Sequence, residues 1–282
     1  MKRGKLKVAT CQFAVSASIG RNAATIKRQI LRAKKRGAGI AHFPETALSG
    51  YAGVEYPNWD GFEWDRLQAE TEAICLLARQ KRIWLILGSA HRLTGTNQPH
   101  NCLYIINDQG RLVGRYDKRF CTGGDLKFYS PGDHFAVFTI NGVRCGALIC
   151  YDVRFPELYR EYKKLGVELM FHSFHNARGD GPKIHTEIMP ASLAARAATN
   201  YMFVSANNSS QYYQQWSSRF IHPDGHTQIA LTRHRAGITV NLADTHKQYY
   251  DAAGKNRDRS MAGVLNTGML VNDPRSRNRT TL

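Results

Sequence analysis

Apolar residues fall along this chain in short runs, separated by stretches in which they recur every three or four positions, a pattern that predicts strands alternating with helices. The run over residues 6–13 reads as a strand. Ile26, Ile30 and Ala33 lie at helical spacing and predict a helix over about 22–36, with Gly37 as its stop. A short strand over 40–43 ends at Pro44-Glu45. Leu67, Ile74, Leu77 and Ala78 share one face of a second helix over about 64–80, and the buried run 83–87 follows, so the chain opens in the order βαβαβ.

The pattern then changes to hairpins. Runs at 102–106 and 112–116 flank Asn107-Asp108-Gln109-Gly110, and runs at 135–140 and 143–149 flank Asn141-Gly142, the strongest short turn signal in the sequence. Helices are expected at about 156–165 and 184–199, each followed by a strand, 167–171 and 201–206. Strands at 218–221, 227–231 and 237–241 complete the series, the first two joined by Pro223-Asp224-Gly225. Hairpins inside an α/β alternation do not suit a purely parallel sheet. Two facing mixed sheets between two helix layers fit better, a four-layer αββα sandwich.

Composition narrows this picture. At 282 residues, with 43% hydrophobic residues and no linker-like or low-complexity stretch, the chain is expected to form a single domain with a large core. No apolar stretch reaches the roughly 20 residues of a membrane span, and the opening MKRGKLK runs straight into a strand, so no membrane association and a cytoplasmic location are expected. Six cysteines without a CxxC pair fit a reducing compartment, and they offer no ligand spacing for zinc, so no metal and no cofactor is expected. The formal charge of +17 raises the question of nucleic acid, but the basic residues are scattered and carry no recognition motif; nucleic-acid binding is not expected.

The chemistry is expected at strand ends. The run Gly146-Ala147-Leu148-Ile149 stops at Cys150, and Pro156 suits the first turn of a helix, so the thiol would sit on a strand-to-helix elbow. Glu45 in HFPETALSGY and Lys118 in RYDKRF also follow strand-like runs. A cysteine, a glutamate and a lysine so placed could be a nucleophile, a general acid/base and an oxyanion stabiliser. Taken singly, each is as well read as a structural thiol, a helix-start charge or a solvated cation.

Together they carry more. FPETALSGY, YDKRF and CYDVRFPE appear in the order and approximate spacing of the nitrilase, or carbon–nitrogen hydrolase, superfamily, which the chain resembles over about residues 6–241, leaving 242–282 as a C-terminal extension. Ser130-Pro131-Gly132-Asp133 is similar to the family's Pro-Gly-Asp loop, and AARAATNYMFVSANN to its helix and strand before the closing strands. The resemblance implies the αββα sandwich, a homodimer or higher homo-oligomer, and Glu45, Lys118 and Cys150 as a catalytic triad. It further implies that Lys118 and the backbone N–H of Tyr151 form the oxyanion hole, and that the reaction passes through a thioester.

Several assignments stay open at this level. Asp125 stands where many members carry a second glutamate, and it is either a second acid beside Lys118 or a surface loop acid. Tyr51, His172, His175 and Asn176 are candidates to line a substrate pocket, although the histidines could equally hydrogen-bond backbone. Arg154 could pair a substrate carboxylate or an acid of the protein. A tyrosine after the nucleophile resembles the amidase branches. The expected substrate is a small amide; an N-carbamoyl amine or amino acid is the alternative, followed by a silent member serving as a binding or scaffold protein.

Overall fold

The computed structural model, which describes residues 3–280, arranges twelve strands in two six-stranded sheets. In the first, β1 (Lys5–Gln12), β2 (Ile40–His42) and β3 (Trp84–His91) run parallel, joined by α1 (Ile19–Lys35) and α2 (Trp64–Lys81). Parallel neighbours need such crossovers, which cover the sheet with helices. The hairpin of β4 (His100–Ile106) and β5 (Leu112–Asp117) continues one edge antiparallel. The second sheet repeats the scheme. The hairpin of β6 (Val137–Ile140) and β7 (Val143–Ile149) leads into β8 (Leu169–Phe174) and β9 (Phe203–Asn208), parallel to β7 and linked through α3 (Pro156–Lys164) and α4 (His185–Asn200). Two antiparallel strands, β10 (Arg219–Ile221) and β11 (Thr227–Ala230), finish its far edge, and β12 (Gly237–Asp244) returns to the first sheet to pair antiparallel with β1.

Side-chain alternation builds the layers. In β1, Leu6 and Val8 join Ile40, Ile86, Leu103 and Ile105 in a core shared with the second sheet and with Leu158, Tyr162, Leu193 and Ala197 of α3 and α4. The intervening Ala9 and Cys11 face the other way, against Ile26, Ile30 and Ala33 of α1. Each such isoleucine, fully buried, contributes about 1.5–3 kcal/mol. The result is the four-layer αββα sandwich expected from the sequence. Polar groups also cross between the sheets: His42 is hydrogen-bonded through Nδ1 to Ser205 (2.9 Å) and through Nε2 to Ser173 (2.8 Å), and burial pulls its pKa down to about 3, so the ring is neutral.

Boundaries differ from the sequence reading where turns intervene. The first helix begins at Ile19, ahead of the expected Asn22, because Ser18 caps it by accepting the Arg21 N–H. β8 and β9 each begin two residues late: Gly166 (φ 78°) and Tyr201 (φ 48°) adopt left-handed conformations that end the preceding helices before the chain turns extended. The Asn141-Gly142 turn has positive φ at both residues, as a tight type I′ hairpin requires. Two further helices, α5 (Lys255–Met261) and α6 (Pro274–Arg277), follow β12. No described helix is long and apolar enough to cross a membrane.

Candidate active site

Three strand ends supply the site. Glu45 follows β2 in a turn that lies directly on β3, where Gly88 leaves room for it: a Cβ there would stand 2.0 Å from the Pro44 carbonyl oxygen and 2.7 Å from the Thr46 nitrogen. The Leu48 N–H donates to the Gly88 carbonyl (2.9 Å) and fixes the turn. Lys118 follows β5, its N–H donating to the Asn101 carbonyl (2.9 Å) and its carbonyl accepting from the Gly132 N–H (2.8 Å) of the Pro-Gly-Asp loop. Cys150 follows β7 as the first residue of a 3-10 turn, Cys150–Arg154, and is held at φ 44°. A non-glycine residue in that region carries roughly 1–2 kcal/mol of strain.

These ends converge on a buried ion cluster. The Lys118 ammonium, 1% exposed, donates to Glu45 Oε1 (2.9 Å), Asp125 Oδ2 (2.9 Å) and the Tyr51 hydroxyl (3.3 Å). Tyr51 donates in turn to Asp125 Oδ1 (2.5 Å), and Asp125 Oδ2 also accepts the Thr122 N–H (2.8 Å). Glu45 Oε1 takes a further bond from Asn101 Nδ2 (2.8 Å), whereas its buried Oε2 has no hydrogen-bond partner among the described residues. Burial opposes the Lys118 charge, but Glu45, Tyr51, Cys150 and Asp125 together hold its pKa well above the ordinary lysine value. Burial likewise raises Asp125, and the Lys118 charge with the bonds from Tyr51, Lys118 and Thr122 outweighs it, leaving the carboxyl below its usual range.

The thiol lies in the field of this cluster. Burial pushes the Cys150 pKa up, Glu45 and Asp125 add to the rise, and Lys118 opposes it together with the backbone N–H of His175. Asn176 Nδ2 donates to Cys150 Sγ (3.4 Å), while its Oδ1 accepts from Trp216 Nε1 (3.0 Å), which orients the amide. Cys150 is therefore a thiol at rest, in the field of carboxylates that raise its pKa and an ammonium that lowers it.

The remaining sequence candidates divide. The His175 ring packs at 5.3 Å from Tyr51, with Nε2 at 3.2 Å from Glu55 Oε1. Tyr151 is 38% exposed, with its ring edge-on to Phe155 (5.4 Å). Arg154 sits at the end of the 3-10 turn with its guanidinium 3.0 Å from His185 Nδ1 and makes no ion pair with an acid of the described chain. His172 is wholly buried: its Nδ1 is bonded to the Tyr159 hydroxyl (2.7 Å), its ring stacks on Phe174, and burial holds its pKa well below the histidine value. It belongs to the core behind the nucleophile and not to a solvent-facing wall.

Three neighbours escaped sequence reasoning. Asn101 lies opposite Ala90 of β3, near the Glu45 turn, and its Nδ2 donates to Glu45, while its carbonyl accepts the Lys118 N–H. Glu55, its carboxylate fully buried, joins the loop after Tyr51 to the loop after β8 through Arg178 and His175. Asp152 lies within CYDVRFPE, but nothing in that string shows where its carboxylate points. Among the described residues no group of three or more His, Cys, Asp or Glu side chains is placed to hold a metal ion.

Comparison with known proteins supplies the family. The chain is 27% identical over 260 residues to an omega-amidase of Xenopus tropicalis, covering 87% of this chain and 90% of that one. It is 25% identical over 208 residues to a 2-oxoglutaramate amidase of Bacillus subtilis, covering 72% and 76%. The fold superposes on the crystal structure of an amidase from Nesterenkonia sp. with a TM-score of 0.73 at 23% identity, covering 86% and 91%. A family model for carbon-nitrogen hydrolases matches residues 7–251, and with the site just described on the same span, the chain belongs to the carbon–nitrogen hydrolase family.

Proposed function

We propose that this protein hydrolyses the C–N bond of a small amide through a thioester on Cys150. Because burial keeps Cys150 a thiol, attack needs a base, and the observation that carries the reading is the unpartnered, buried Oε2 of Glu45, the acid whose charge acts on that thiol. Glu45 takes the thiol proton as Sγ attacks the carbonyl carbon, and the resulting oxyanion is held by the Lys118 ammonium and the Tyr151 N–H. Glu45 then passes its proton to the departing nitrogen, which leaves as ammonia or an amine. Water attacks the thioester with Glu45 again as base, releasing the acid and restoring the thiol.

The relatives favour a terminal amide of a small carboxylic acid, since the Xenopus protein is called an omega-amidase and the Bacillus protein a 2-oxoglutaramate amidase. N-carbamoyl compounds are the alternative, since they present the same planar carbon to the same three groups. Ammonia release from a panel of omega-amides, simple aliphatic amides and N-carbamoyl amino acids, by wild type and Cys150→Ala, tests both points. Turnover should require Cys150 and be highest with an omega-amide. Undiminished turnover by Cys150→Ala would refute the covalent mechanism.

A further inference from the structure

We propose that Asp152, two residues beyond the nucleophile, is a positioning residue that fixes the Cys150 elbow relative to Lys118; this rests on the catalytic reading above. Its side chain is wholly buried and receives three donors. Oδ2 accepts the Ile149 N–H (2.9 Å) and the Tyr116 hydroxyl (2.8 Å), and Oδ1 accepts the Phe120 N–H (3.0 Å). Ile149 immediately precedes Cys150. Tyr116 and Phe120 stand two residues to either side of Lys118. Since β5 belongs to the first sheet and β7 to the second, one carboxylate ties the two sheets together where their catalytic groups meet.

The remaining anchors do not do this. The Lys118 backbone is bonded to Asn101 and Gly132, on its own side of the site, and the Lys118 ammonium to Glu45, Asp125 and Tyr51. Asp152 is bonded to both the cysteine elbow and the segment carrying the lysine. Three donors and no acceptor converge on it, which suits an ionised carboxylate and no neutral side chain of the same size. A carboxamide would turn its NH2 toward at least one of the three donors. Burial pushes the Asp152 pKa up to about 6 against the bonds from Ile149, Phe120 and Tyr116, so the carboxylate is charged at neutral pH.

Asp152→Asn tests the role, because it preserves shape and loses the match to three donors. A displacement of about 1 Å between nucleophile and oxyanion donor costs on the order of 10²-fold, so kcat should fall roughly 10- to 100-fold with KM within about twofold of wild type. Tyr116→Phe removes one donor, leaves both backbone bonds, and should lower kcat by a smaller factor, again with KM unchanged. It decides the question if Asp152→Asn does not fold. Wild-type kcat in the folded Asp152→Asn, or in Tyr116→Phe where that variant decides, overturns the proposal. A proportionate rise in KM with loss of thermal stability overturns it too, by showing a merely structural role. Cys150→Ala, assayed alongside, separates the two levels: its inactivity beside a fully active Asp152→Asn rejects only the positioning role, whereas its full activity rejects the chemistry on which that role rests.

Discussion

Replacing Asp125 by asparagine tests how the lysine is held. Lys118 Nζ lies 2.9 Å from both Glu45 Oε1 and Asp125 Oδ2, so the cluster of two carboxylates and one ammonium carries one net negative charge. At 2.9 Å and an effective dielectric constant of about 20, each contact is worth about 6 kcal/mol of gross attraction, most of it offset by desolvation. Asparagine keeps the acceptor toward Lys118 and the Thr122 N–H and can turn its NH2 toward the Tyr51 oxygen, so the fold should survive. The charge does not. Lys118 is then left with Glu45, which the proposed mechanism uses to exchange protons, as its one charged partner in the cluster, and kcat should fall by about 10²-fold with little change in KM. Because the Asp125 charge raises the Cys150 pKa, its removal should also move the pH midpoint of Cys150 alkylation downward. Steady-state kinetics and iodoacetamide inactivation across pH measure both. Wild-type kcat with an unmoved alkylation midpoint would refute the reasoning and leave Asp125 a loop acid. Thermal melting supplies a further sign. The Asp125 carboxyl is depressed in the fold, so its stabilisation is present above the unfolded value of about 3.9 and lost as pH falls through the folded value. Below about pH 4 the wild type should therefore lose Tm more steeply than Asp125→Asn.

Glu45→Gln keeps the bonds from Asn101 and Lys118 yet cannot take the thiol proton, so kcat should fall at least about 10²-fold in the ammonia-release assay. Gly88→Ala sets a methyl against the Pro44 carbonyl at 2.0 Å, and differential scanning calorimetry should show it destabilised by about 1–3 kcal/mol, with activity lost along with the Glu45 turn. Exhaustive EDTA dialysis should leave turnover unchanged, since in the proposed mechanism the thiol and Glu45 do the work of a metal-bound water; loss of activity restored by zinc would contradict this. Sedimentation at micromolar concentration should give a species larger than the 31.8 kDa chain.

Much of this architecture is legible in the residues, and the reasons are local. Glu45, Lys118 and Cys150 each follow a strand-like run, and strands that point the same way bring such ends to one edge. The Asn141-Gly142 turn fixes its hairpin without outside help. What stays hidden is nonlocal or set by single dihedrals. The left-handed Tyr201 that delays β9 resembles any tyrosine after a helix. Asn101 reaches Glu45 because the β3–β4 pairing sets it opposite Ala90, two residues along β3 from the Gly88 on which the Glu45 turn lies, and no local pattern announces that register. Glu55 meets His175 and Arg178 across loops that the sequence separates by more than a hundred residues. His172 follows an apolar run as a site residue would, yet its position in the middle of β8 sends it into the core.

The pairing of β1 with β12 has a consequence for the chain as it leaves the ribosome. Lys5 is registered with Asp244 and Gln12 with Gly237, so β1 waits for a partner made more than two hundred residues later. At roughly 5–20 residues per second, about 10–50 s pass between the emergence of β1 and that of its partner. Throughout that interval one edge of β1 carries unpaired N–H and C=O groups, a template for joining another nascent chain. Lys5 and Lys7 belong to that strand, and the repulsion between their charges and those of neighbouring nascent chains would keep the chains apart until the sheet closes.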